Sequence, residues 1–349
     1  MHPRSTIALL GLLSFAAAGC ATTEKPPVFS TAPTAAVPAR GETQAVGTAN
    51  ADAADDPAIW RNPADPAASL IVGTDKKAGL YVYDLAGRQR SFFNAGRVNN
   101  VDLRDMGAAG IIVAASDRND PLNAMLALFR LDPASATLVP LGKVSAGTGE
   151  AYGVCLYREG DTLFAFNVIK DGTIRQLSLA LGAVPEASLV RTMKLATQSE
   201  GCATDERAHR LYVAEEDVGL WRFDARPGGD VAPVRMASAD GYQIVADTEG
   251  VTIAAEGPGD GGYLLVSSQG DNAYAVYRLS DDSYVGRFRI AAGAFGATEE
   301  TDGIDIAVGD VGGTYPGGLF VAQDGQNAPA AQNFKLVAWA EIKAALGIP

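Results

Sequence analysis

Short apolar runs that close on polar residues recur along the chain at 69–75 (SLIVGTD), 110–117 (GIIVAASD), 161–168 (DTLFAFNV), 210–217 (RLYVAEED), 263–270 (YLLVSSQG) and 318–325 (GLFVAQDG). Each is too short for a helix and is bounded by turn residues, so each reads as a buried strand. Within about a dozen residues a second strand-like run follows every one, at 80–85, 126–131, 174–179, 219–224, 274–279 and 334–339. A third row precedes the first: Asp55-Asp56, Asn99-Asn100-Val101-Asp102, Ala151-Tyr152-Gly153, Ser199-Glu200-Gly201, Thr248-Glu249-Gly250 and Thr301-Asp302-Gly303. Measured between Asp56, Asp102, Tyr152, Glu200, Glu249 and Asp302, the steps are 46, 50, 48, 49 and 53 residues. Strand-rich repeats of this length, with Gly-rich turns and almost no helical period, predict an all-β fold, a six-bladed β-propeller.

In such a ring the polar residues that open one strand and close its antiparallel neighbour lie at the same end of the blade. Two rows of acids and amides therefore meet on one face. Before the ring, Arg4 followed by an apolar stretch at 7–18 and small residues ahead of Cys20 reads as an export signal over 1–19, with Cys20 as a lipidated first residue. The apolar stretch is too short to span a bilayer. Residues 20–47, rich in Ala, Pro and Thr, read as a flexible tether, and 48–349 as the propeller domain.

Charge then narrows the chemistry. The chain of 349 residues carries a net charge of -13, which disfavours nucleic acid as a partner. His2 and His209 are its only histidines, which argues against a zinc hydrolase or a His-based triad. The converging polar set is Asp55, Asp56, Glu200, Glu215, Glu216, Asp217, Asp247, Glu249, Gln269, Asp271, Asp302 and Asp324. Hard oxygen donors without His or Cys select calcium or magnesium, and calcium accepts the irregular ligand sets that loops supply. Lys76-Lys77, Arg118 and Lys170 occupy the matching loop positions of the first three repeats, so one side of the face is cationic and suits a polyanion such as a phosphate ester. The GxGxxG match at 257–262 leads into a strand rather than a helix and is a turn. Cys155 and Cys202 follow their repeats' marker glycines by two residues and by one; from that opposite strand parity they are expected to be free, buried thiols.

The motifs DDPAIW (55–60), TDKKAGLYVYDL (74–85), NNVDLR (99–104), SEGCATDE (199–206), YVAEEDVGLW (212–221), DTEGVTI (247–253), YLLVSSQGDNAYAVY (263–277), TDGIDI (301–306) and GLFVAQDGQN (318–327) together resemble the β-propeller phytases, from about Asp52 to the C-terminus. The resemblance implies calcium-dependent hydrolysis of phytate, myo-inositol hexakisphosphate, with several Ca2+ ions as cofactors. It implies calcium-site roles for Asp56, Glu200, Glu216, Asp247, Glu249, Gln269 and Asp302, and for Glu216 a part in directing the attacking water. It also implies that Lys76, Lys170 and Arg118 act on the reacting phosphate and that Lys77 and Tyr152 bind substrate. One departure is visible: some members carry a further Asp-Gly before TDG, where this chain has Gly296-Ala297-Thr298-Glu299-Glu300, leaving Glu299 or Glu300 as substitutes. The expected partner is phytate or its calcium complex, with no nucleic acid, membrane attachment only through the N-terminal lipid, and a monomeric chain. Two other readings stay open at this point, a calcium-bound sugar lactonase and a non-catalytic binding module.

Overall fold

The computed structural model describes residues 29–49 and 51–349; the expected export signal and Cys20 lie outside them. Among the described residues six sheets form, five of four strands and one of five. Their innermost strands are Ala54–Trp60, Val98–Asp105, Ala151–Glu159, Ser199–Asp205, Thr248–Ala255 and Ile304–Val308. Each of these touches the next, and the sixth touches the first, so the sheets are the blades of a closed six-bladed propeller. The second and third strands of the blades are the two rows of apolar runs, paired antiparallel.

Alternation explains how the blades adhere. In the first blade Leu70 and Val72 face the second blade, while Ile71 faces the sixth, and six apolar clusters of this kind fill the six seams. A fully buried Leu or Phe at such a seam contributes about 2 kcal/mol. At the polar-Gly step there is no room for a side chain on the glycine. A Cβ on Gly201 would lie 2.4 Å from the Glu249 carbonyl oxygen, and one on Gly303 would lie 2.5 Å from the Asp56 Cα, so the polar-Gly step marks where neighbouring inner strands touch through backbone.

Two expectations are corrected. The stretch read as a tether contains Thr34–Pro38, which pairs in parallel with Tyr284–Ala291 as the fifth strand of blade five, and Gly41–Glu42, which supplies the outer strand of blade six. Both outer edges need partners for their backbone groups, and short segments without hydrophobic period satisfy them. Cys155 and Cys202, expected to be free, form a disulfide between the inner strands of blades three and four. Adjacent blades present opposite faces to one another, so opposite parity is what brings two side chains together across a seam. A C-terminal helix, Trp339–Leu346, buries Trp339 and Ile342 against blades five and six.

Candidate active site

The inner strands reach the channel face through β-bulges, at Ala54/Pro57, Val98/Val101, Ala151/Gly153, Ser199/Cys202 and Thr248/Val251. A bulge sets two residues opposite one and re-aims a side chain, here toward the mouth of the channel. Glu200 and Glu249 arrive from inner strands and Glu216 from the end of a second strand, and one carboxylate oxygen of each lies within 4.8 Å of the others. Glu200 and Glu249 are buried and are driven far above the ordinary carboxylate range, by loss of water first and then by neighbouring acids, Asp55 foremost for Glu200 and Glu200 for Glu249. Glu216 is raised in the same way, with Asp247 adding to the effect and Lys170 opposing it. Glu216 Oε1 and Glu249 Oε2 are buried without a hydrogen-bond donor. Oxygen atoms left so are short of a cation.

Lys76 meets three acids, Asp302 Oδ2 of the sixth blade at 2.8 Å and, at the start of its own blade, Asp55 Oδ1 and Asp52 Oδ1 at 2.9 Å each. Burial disfavours the ammonium, yet Asp55, Asp302 and Asp52 outweigh that and hold it charged far above its ordinary value. Asp302, mostly shielded from solvent, is pushed up to about 8 by desolvation despite Lys76, and its Oδ1 accepts the Gln269 amide. Asp247 is raised by burial and by Asp217. Asn99 donates to Glu200 Oε1 at 2.7 Å.

Opposite the acids stands a cationic wall. Tyr152 carries Lys170 Nζ 4.8 Å and Arg118 Cζ 5.6 Å from its ring centroid, a cation–π arrangement that keeps both heads at the face. Arg118 also meets Glu150 at 3.5 Å. Lys77 is exposed beside Lys76 on the first blade's turn, its backbone N–H bonded to Asp75 Oδ1 at 3.0 Å.

Thus the structure brings together Lys76, Glu200, Glu216, Asp247, Glu249, Gln269 and Asp302, with Tyr152, Lys170 and Arg118 across from them. Asp56 is placed elsewhere. Its Oδ2 accepts the Val101 N–H at 3.0 Å, and with Asp102, Asp305 and Arg104 it lines a cavity of 190 Å³ farther down the channel. Its neighbour Asp55 turns to the carboxylate cluster instead, because the bulge after Ala54 sends the two acids to different levels. Among the other acids of the converging set, Asp271 pairs with Arg287, Asp324 with Lys335, and Glu215 accepts from Thr197 and Trp221, so these three serve the blades. Glu299 and Glu300 are exposed; the Glu300 carboxylate accepts the Gln326 amide, and neither joins the cluster. Asp52 and Asn99 were missed. The signal for Asn99 was its NNVD context, in register with the Asp55-Asp56 pair.

Fold and site together define a propeller with a metal-competent carboxylate centre facing a phosphate-competent cationic wall. The sequence matches the Phytase family over residues 4–348, and the chain belongs to that family. It is 39% identical over 329 residues to the 3-phytase of Bacillus subtilis (strain 168), covering 89% of this chain and 85% of that one. It also shows 28% identity over 228 residues to tRNA pseudouridine synthase B of Mycobacterium sp. (strains KMS and JLS), covering 61% of this chain and 72% of theirs. A net charge of -13 does not suit an RNA partner.

Proposed function

We propose that the protein is a calcium-dependent phytase, releasing inorganic phosphate from phytate by attack of water on a phosphomonoester. The observation that carries the reading is the set of donorless, buried oxygens of Glu216 and Glu249 beside Glu200, facing Lys170, Arg118 and Tyr152. Bare carboxylates would repel a polyanion, and the donor set of oxygens without His or Cys suits calcium. Asp55, Glu200, Glu216, Asp247, Glu249, Gln269 and Asp302 would hold it. When bound there, calcium would supply the positive charge that lets a polyanion approach and would polarise phosphoryl oxygens.

The chain's own groups do the rest. Lys76, held charged by Asp55 and Asp302, stabilises charge on the equatorial oxygens of the reacting phosphate. Lys170 and Arg118 grip that group or a neighbouring phosphate and, with exposed Lys77, orient the ring. Glu216, nearly buried with one free oxygen and Lys170 near it, orients the attacking water and takes its proton. The decisive measurement is phosphate release from phytate with calcium, with EDTA, and in Glu216→Gln. The variant is expected to lose about 100-fold or more in kcat, the scale of a removed general base. Wild-type protein inactive on phytate with calcium present would overturn the reading. We also propose export with a lipid on Cys20, because small residues precede it; mass spectrometry showing an unmodified chain that retains residues 1–19 would contradict that.

A further inference from the structure

Beneath the carboxylates lies a second, buried ring that the reaction does not touch. It consists of the penultimate residues of the second strands, Thr74, Ser116, Val168, Ala214, Ser267 and Gln323. The four polar members are fully buried. Three of them repair a local defect. Near the channel face the inner-strand ladder breaks, and an N–H there would lack a partner; Asp56 N donates to Thr74 Oγ1, Asn100 N to Ser116 Oγ and Asp302 N to Gln323 Oε1, each at 2.9 Å. Three also reach across a seam: Ser116 Oγ donates to the Tyr152 carbonyl at 2.6 Å, Ser267 Oγ to that of Thr301 at 2.8 Å, and Gln323 Nε2 to that of Ala54 at 3.1 Å. Blades three and four have Val168 and Ala214 at this position, and the seam after blade three carries the disulfide instead.

Gln323 is the member with the most direct hold on the site. Its amide spans from the Asp302 N–H to the carbonyl of the residue before Asp55, across the seam between blades six and one. Its own backbone donates to Gly303 O at 3.0 Å and accepts from Thr301 Oγ1 at 2.9 Å. Buried Asp55 and mostly buried Asp302 hold Lys76. We infer that Gln323 is a positioning residue for phosphate release, setting the spacing of Asp302 and Asp55 and thereby the place of the Lys76 ammonium. The inference rests on the reading that Lys76 meets the reacting phosphate.

The matched comparison is with Gln176, an equally buried glutamine that donates to Ala225 O at 2.8 Å and accepts from Arg191 at 2.6 Å, at a seam away from the site. Gln323→Met, Gln176→Met and Lys76→Met are assayed for kcat, KM and Tm on phytate at saturating calcium. Both glutamine variants should lose similar stability. Only Gln323→Met should also lose kcat/KM, about tenfold, the equivalent of one misplaced hydrogen-bonded group. Should Gln323→Met not fold, Gln323→Asn serves, since it is one methylene too short to span both partners. Kinetics of the Gln323 variant no worse than those of Gln176→Met, while Lys76→Met is impaired, would overturn the inference alone. Lys76→Met with wild-type kinetics would overturn the reading of Lys76 and the inference with it.

Discussion

Burying Glu200, Glu249 and Asp302 together raises their pKa values, and that makes the site sensitive to both pH and metal. Asp302 is raised from 3.8 to about 8, and Glu200 and Glu249 lie well above 4.5, each chiefly through burial. A carboxyl whose folded value is raised binds its proton more tightly in the fold than in the unfolded chain. Its contribution is therefore present below the unfolded value near 4 and is lost as pH climbs through 8. Metal-free protein should show a Tm that falls between pH 5 and 8, and calcium should raise Tm more at pH 8 than at pH 5; a flat Tm in EDTA over that range would contradict this. At this scale most of the site was legible in the sequence, because residue types at repeat-equivalent positions declare themselves. The levels of Asp55 and Asp56 were not, since a bulge of one residue decides which of two adjacent acids points where.

At the scale of the strand, the two apolar rows were readable because they are buried on both faces and closed by turns. The outer strands were not. Gln89–Asn94 carries only partly buried or exposed residues, and Thr34–Pro38 has no apolar alternation to find. Such segments are strands because a neighbour offers unpaired backbone groups. Deleting the chain through Glu42 would strip the fifth strand from blade five and the fourth from blade six. That truncation is expected to lower Tm by several degrees and to promote aggregation through the bared edges, read by calorimetry and light scattering. Equal Tm for truncated and full chains would contradict the role of these strands.

The whole molecule is a ring whose seams are tied by several means, some of them together at one seam: polar side chains, backbone contact through Gly201, Gly250 and Gly303, and one covalent bond. The Cys155–Cys202 bridge spans a sequence separation of 47, and restricting the unfolded chain over that loop is worth about 4 kcal/mol on the chain-entropy account. Cys155→Ser should therefore lower Tm and remove the 155–202 crosslink from a non-reducing peptide map; an unchanged Tm would show the blades to be held by packing alone. The sequence pattern disclosed the number of blades but not how neighbours are fastened, because parity within a strand says which face a residue takes only once the blades' mutual order is known.

The strand Gly41–Glu42, made near the start of the chain, finds its partner in Asn333–Ala338, made near the end. No ribosome-bound fragment lacking the last blade can close the circle. The inner blades have local hairpins to form on, whereas the clasp joins the most distant parts of the sequence and must overcome the largest loop-closure entropy. Circularisation, rather than blade formation, is then the expected slow step, and protection of Gly41–Glu42 from hydrogen exchange as early as the hairpins during refolding would contradict that.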